Sequence, residues 1–273
     1  MIEVYIMARK HTGICHICGK EGELTFEHIP PRNAVNNQSA KMYSGDNLIK
    51  RMQGEKAKYE NQQAGAGRYS LCASCNNNTG QWYAPAYNLM AKATAWNLQN
   101  GPKLQHGDIF AFTTKGFSAL EFVKQVITMF CSMLPHSEVK RLGFDKLILD
   151  KLSNNVDTSL FDLRMYLAPN DSVRLSIGPF VVLNLDKQTN ETENVSATEI
   201  EAYPFGFILN LNPATEITYG ASLLPLLKAE YGKKYSMEWK LQYLERTNTE
   251  LPLPLQFKPI KHFEYKEEEW KKS

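Results

Sequence analysis

Two short cysteine pairs constrain this chain more than anything else in it: Cys15-His-Ile-Cys18 and Cys72-Ala-Ser-Cys75, with 53 residues between them. A Cys-x-x-Cys turn presents two thiolates to one point, and two such turns supply the four soft ligands of a tetrahedral ion. A redox role needs one pair in a thioredoxin-like βαβ setting, and the sequence offers no such setting. The fifth cysteine, Cys131, sits in an apolar helical pattern and reads as a small buried side chain. The expectation is a structural Zn2+ held by Cys15, Cys18, Cys72 and Cys75, with the N-terminal region folded around it.

A chain of 273 residues can bury a full core and is long for one domain. No apolar run approaches the roughly 20 residues a bilayer requires. The first ten residues lack the apolar stretch of a signal peptide. The chain is therefore expected to be cytoplasmic, with no membrane partner. Charge is uneven: residues 1–103 carry 12 Lys and Arg against 7 Asp and Glu, and residues 104–273 carry 19 against 22. A positive excess in the half that holds the cysteines suits a polyanionic partner.

Periodicity divides the chain at Asn100-Gly101-Pro102. Before it, Glu23-Leu-Thr-Phe26 reads as a strand leading into Glu27-His28 and stopped by Pro30-Pro31. Residues 32–68 show no sustained period and read as a long surface loop with a helical turn or two around Ile49–Asn61. Helices are expected over 73–81 and from Pro85 to Gln99. After the break, Ser118-Ala-Leu-Glu121 reads as a capping box opening an apolar helix that Pro135 ends. That helix is read either as core or as the face of a homodimer. Beyond residue 160 the period moves toward 2, with strands at 164–168, 173–185, 204–211 and 237–243 and a short helix near Ser222–Tyr231. The tail, Lys266 to Ser273, is charged and expected to fray. The fold class is α+β: a zinc-stabilised N-terminal domain, 1–101, followed by a β-rich α+β domain, 102–273.

The order Cys15-His-Ile-Cys18, Phe26-Glu27-His28-Ile-Pro-Pro-Arg32-Asn, Leu71-Cys72-Ala-Ser-Cys75-Asn76-Asn-Asn-Thr-Gly80 resembles the HNH, or ββα-metal, endonucleases. It is most similar to members with a CxxC…EHxxP…CxxCNxxxG layout, over roughly residues 13–82. The resemblance implies a metal-dependent endonuclease that hydrolyses phosphodiester bonds, with DNA the favoured substrate. It makes His28 the general base, Glu27 the acidic ligand of a catalytic divalent ion, and Asn76 the last ligand of that ion. Carboxylate and amide oxygens favour Mg2+ or Mn2+ over zinc. The family's middle Asn, which orients the base, falls five residues before the third cysteine, where this chain has Gly67. Asn47 has suitable neighbours but stands 25 residues ahead of Cys72, so an insertion would have to loop out for it to serve.

Arg32, Lys50, Arg51, Lys56, Lys58 and Arg68 are ordinary surface charges singly and candidate phosphate contacts together. Asn76 has a second reading, as an amide capping the helix that follows. Trp82 and Tyr83 read as core rather than as a stacking platform. HNH proteins with an extra domain of this kind resemble restriction or phage-defence nucleases, in which that domain senses a target, a partner protein or a signal. The rival reading is a non-catalytic zinc module that binds nucleic acid on an HNH scaffold, for which the Gly at position 67 and the Asn at position 76 speak. A third makes the C-terminal region a protein-interaction platform with the zinc region as a clip.

Overall fold

The computed structural model of the chain describes residues 10–34, 36–44, 46–47, 50, 53–63, 65–169, 173–175, 180–185, 192–214, 217–245 and 255–259. Within them the chain is mixed α and β. β1 (His11–Ile14) and β2 (Glu21–His28) form a hairpin whose turn is the first cysteine pair. Gly19 closes that turn at φ +71°, its N–H donating to the Cys15 carbonyl at 2.9 Å. A Cβ there would also meet the His136 imidazole at 2.4 Å. Left-handed backbone and close packing together demand glycine at this point.

β3 (Ala40–Tyr43) and β4 (Glu60–Gln62) follow, then β5 (Gly67–Cys72), which returns alongside β2 in a three-stranded sheet of order β1-β2-β5. α1 (Ala73–Trp82) begins on the residue after Cys72, and α2 (Ala84–Asn100) opens with Pro85 in its first turn, where a missing N–H leaves no bond unmade. Both helices lie where the sequence put them. The segment 32–68 does not conform to the surface-loop expectation, because it contains β3 and β4. β3 pairs with β4 and with β14 (Leu255–Pro259), more than 200 positions along the chain, and a strand recruited by so distant a partner leaves no local period.

β6 (Ile109–Phe117) pairs with β13 (Tyr235–Gln242) in a two-stranded ribbon. Between them in sequence lie α3 (Ala119–Met133), the short α4 (His136–Arg141) and α5 (Phe144–Leu149), and then the strands β7 (Asp162–Leu167), β8 (Val173–Leu175), β9 (Phe180–Leu185), β10 (Thr192–Ala202), β11 (Phe205–Asn210) and β12 (Ala221–Ser222). The large sheet runs β12-β7-β11-β10-β8-β14-β3-β4, with β9 also on β10. The predicted helix near Ser222–Tyr231 is a 3-10 turn, Leu224–Lys228. The tail from Lys266 lies outside the described residues.

α3 is the centre of the molecule. Every residue of it is buried, and Phe122 stacks on Tyr87 of α2 at 5.7 Å between ring centroids. It is therefore core within one chain, and the alternative of a dimer face on this helix is set aside. The hydrophobic cluster around it runs from Cys15, Leu71 and Tyr87 to Phe207 and Trp239, so the core does not stop at residue 101. Tyr83 of the N-terminal half donates its hydroxyl to the Ile148 carbonyl at 2.8 Å. The capping box at Ser118 does not form. Ser118 Oγ accepts from Lys234 Nζ, and Glu121 Oε1 accepts from the Gly232 N–H at 2.9 Å. Tertiary donors outcompeted the local ones. No helix among the described residues is long and apolar enough to cross a membrane.

Candidate functional site

The four cysteine sulfurs of Cys15, Cys18, Cys72 and Cys75 lie within 4.8 Å of one another, with Cys18 and Cys72 at 3.8 Å. Zn–S bonds of about 2.3 Å at tetrahedral angles place sulfurs roughly 3.8 Å apart, so the cluster has the dimensions of a four-thiolate zinc site. Cys72 is the residue before α1 and Cys75 lies on its first turn, which makes one end of the helix part of the clamp. The Cys15 thiol is held down to about 4, first by a hydrogen bond with the Cys75 thiol and then, against the opposing effect of burial, by neighbouring backbone groups. The histidines nearby serve the scaffold: His16 Nδ1 lies 3.2 Å from the Cys131 carbonyl, and His136 Nδ1 lies 3.0 Å from the His16 carbonyl. Cys131 is fully buried, as its apolar pattern predicts.

Past the clamp, β2, β5 and α1 pack as two strands and a helix, and the sequence-predicted trio sits on them. Glu27 and His28 are the last two residues of β2, and Asn76 lies one turn into α1. Side chains at consecutive strand positions diverge in a regular strand, but β2 ends at His28 and the chain bends through Ile29 and Pro30. All three residues line one cavity of about 220 Å³, together with Pro31, Arg32, Asn33, Asn88 and Gln125.

The chemistry of the three groups differs. Glu27 is buried, and loss of hydration pushes its carboxyl up to about 8. The His28 ring meets that of Phe26 edge-on at 5.0 Å. Asn76 donates from Nδ2 to Thr25 Oγ1 at 2.9 Å and to the Phe26 carbonyl at 3.1 Å, tying α1 to β2. Both amide hydrogens are thereby committed, so Oδ1 is what Asn76 has left to offer the cavity. The amide does not cap its own helix, which has no side-chain cap.

The middle position of the motif is occupied differently. Gly67 stands opposite His28 across the strand pair. Asn47 is not among the residues lining the cavity; its Nδ2 donates to Ser44 Oγ at 2.9 Å and its Oδ1 accepts from the Lys58 N–H at 3.0 Å. Of the basic residues, Arg32 lines the cavity, and Lys50, Lys56 and Lys58 are exposed on the loop. Arg68 lies on β5 opposite Glu27, half-buried, with Nη1 lacking a hydrogen-bond partner. Arg51 lies outside the described residues. Tyr83 is core, while Trp82 is half-buried and lines a second cavity of about 560 Å³ beside the first, with Lys92, Lys234 and Glu121.

Sequence reasoning passed over Asn33, Asn88 and Gln125. Asn88 carries no motif. For Gln125 a weak signal existed: it is one of several polar residues, with Glu121, Lys124, Thr128 and Ser132, on a largely apolar helix. Comparison of the chain with protein-family models, with curated proteins and with solved structures gives no match in any of the three.

Proposed function

We propose that this chain is a metal-dependent endonuclease of the HNH type, with a structural zinc on the four cysteines and a catalytic Mg2+ or Mn2+ in the cavity beside them. The observation that carries the reading is that Glu27, His28 and Asn76, picked from the sequence by resemblance, line one cavity on a strand–strand–helix unit against the cysteine cluster. The donor set suits a hard cation: a buried carboxylate, and an amide whose hydrogens are already bonded elsewhere. When bound, such an ion stabilises charge on the phosphate and on the departing oxygen.

In this reading His28 takes a proton from a water as that water's oxygen bonds to phosphorus. The opposite P–O bond breaks, and the departing oxygen is protonated from solvent. Glu27 and Asn76 hold the cation, and Arg32 at the cavity edge contacts a neighbouring phosphate. DNA is the favoured substrate, and a restriction or phage-defence role is the biological setting that the two-part layout resembles. A panel of single- and double-stranded DNA and RNA, assayed with Mg2+ or Mn2+, tests the reading. Cleavage lost in a folded, zinc-loaded His28→Ala protein supports it, and undiminished cleavage in that variant removes His28 from the role.

A second reading, a zinc-containing nucleic-acid binder without activity, is favoured by one observation. The amide that would orient the base is missing at Gly67, and the Asn47 amide is committed to Ser44 and Lys58. Retention of nucleic acid with no cleavage under any metal would favour it.

A further inference from the structure

The cavity of about 560 Å³ is continuous with the candidate site. It shares Asn33, Pro85 and Asn88 with the smaller space that Glu27, His28 and Asn76 line, so the two adjoin along α2. Lys92 lies one helical turn beyond Asn88, about 6 Å along the axis. The start of α3 adds Ser118 and Glu121, and the turn before β13 adds Lys234.

The polar groups that this space leaves open are cations and donors. Lys92 is half-buried and Lys234 exposed, and among the described residues neither is in an ion pair. Lys234 Nζ donates to Ser118 Oγ, which leaves two ammonium hydrogens uncommitted. The acid in the lining, Glu121, is withdrawn: Oε1 accepts from the Gly232 N–H at 2.9 Å, and Oε2 is sealed from solvent. Asn88 Oδ1 is sealed too, so Nδ2, a donor, is the polar end it has for either cavity. Arg32, exposed at the edge of the smaller cavity, carries the same sign of charge up to the trio. Uncommitted cations beside a neutral donor suit an anion with several acceptor oxygens, such as a phosphodiester.

The rest of the lining is apolar, with the half-buried Trp82 indole beside the exposed Pro85 and Leu89. A concavity of this volume has the dimensions of a small-ligand site, roughly 300–1,000 Å³. It admits one nucleotide with its base out of the stack. An intact duplex is read the other way round, by a convex helix or ribbon laid into its groove. On the nuclease reading, on which this rests, we infer that the cavity along α2 holds an unpaired nucleotide next to the scissile phosphate. Lys92 and Lys234 take its phosphate, and Trp82 takes its base. The favoured substrate is then single-stranded DNA.

The test is fluorescence anisotropy of a labelled single-stranded DNA oligonucleotide, and of its duplex, with the full-length zinc-loaded chain over a salt series without added divalent ions. The single strand should bind more tightly than the duplex. Lys92→Gln and Lys234→Gln should each weaken it severalfold and lower the slope of log affinity against log salt by about 0.7. Trp82→Leu should weaken it about fivefold or more with the slope unchanged, because stacking releases no counterions. A duplex bound as tightly as the single strand overturns the inference. So does a chain carrying both lysine substitutions with unaltered affinity and slope. Neither result touches the nuclease reading, which cleavage dependent on His28 tests separately. Absence of binding to any oligonucleotide by the unaltered chain overturns both. Neither lysine is buried, so their variants keep the fold and decide the question if Trp82→Leu does not fold.

Discussion

A Cβ placed on Gly67 would lie 2.2 Å from the carbonyl oxygen of Glu27. Backbone cannot yield as a flexible side chain would, and the Phe26 ring at 2.8 Å blocks the other exit. The strand that carries Glu27 and His28 is thus packed against β5 so closely that the position where the HNH motif has an asparagine admits no side chain. Gly67→Ala should destabilise the protein by about 1–3 kcal/mol, as overpacking of a filled site does. Gly67→Asn, which rebuilds the family pattern on paper, should do worse in both stability and any cleavage activity. Chemical denaturation of the two variants checks this. Equal stability would mean that β2 and β5 can separate at little cost.

Cys15→Ser and Cys72→Ser should each lose zinc and unfold the region around β1, β2 and α1. In such sites metal binding is folding free energy, on the order of 10 kcal/mol. Zinc content by colorimetric release, read against circular dichroism, checks it. Full zinc occupancy in either variant would place the ion elsewhere.

Glu27 links the site to pH. Near the unperturbed value of 4.5 folded and unfolded chains titrate differently: as pH rises, the unfolded chain releases the proton while the buried carboxyl keeps it to about 8. The folded state binds more protons through that window, so stability falls as pH rises from 4.5 to 8 and levels off above. Glu27→Gln removes the loss. In zinc-loaded protein free of other divalent ions, its stability advantage should grow between pH 5 and 8, at most by about 1.4 kcal/mol per pH unit. Urea titrations at three pH values measure the gap, and parallel curves would mean that the carboxyl is already ionised at neutral pH.

Asn76 has two jobs that substitution can separate. Asn76→Ala removes both ties from α1 to β2 and should cost about 1–3 kcal/mol, at 0.5–1.5 per bond. Asn76→Asp loses the donors but retains oxygen, so it should lose stability while keeping Mn2+ affinity. If Asn76→Ala melts with the unaltered protein, the hydrogen bonds to Thr25 and Phe26 carry no weight.

His28→Ala should leave thermal stability nearly unchanged, since the side chain is only half-buried, and lower cleavage by about 10²–10⁴, the usual contribution of a general base. A folded variant with a tenfold loss or less would assign the proton transfer to another group or to solvent.

The cysteine cluster was legible because its signal is local: two turns of fixed length, each aiming two sulfurs, leave little to tertiary context. The trio was picked out by its resemblance to the HNH motif and the structure brings it to one cavity, while α1 and α2 were marked by the cysteine pair and by Pro85. Asn47 illustrates the limit. Its neighbours in sequence match the motif, but its amide is engaged within its own loop, which only coordinates reveal. β3 escaped for a related reason, since its partner β14 is supplied from the far end of the chain.

Residue identity and spacing alone determined that four sulfurs would gather, whereas Glu27, His28 and Asn76 were singled out by resemblance to the HNH motif. Tertiary packing decided what surrounds them: that α3 brings Gln125 and α2 brings Asn88 to the same cavity, and that burial pushes the Glu27 carboxyl up to about 8. The division follows from range. Ligand turns and helix starts are set by neighbours a few positions away, whereas burial and cavity lining depend on contacts between segments that sequence separates by dozens of residues.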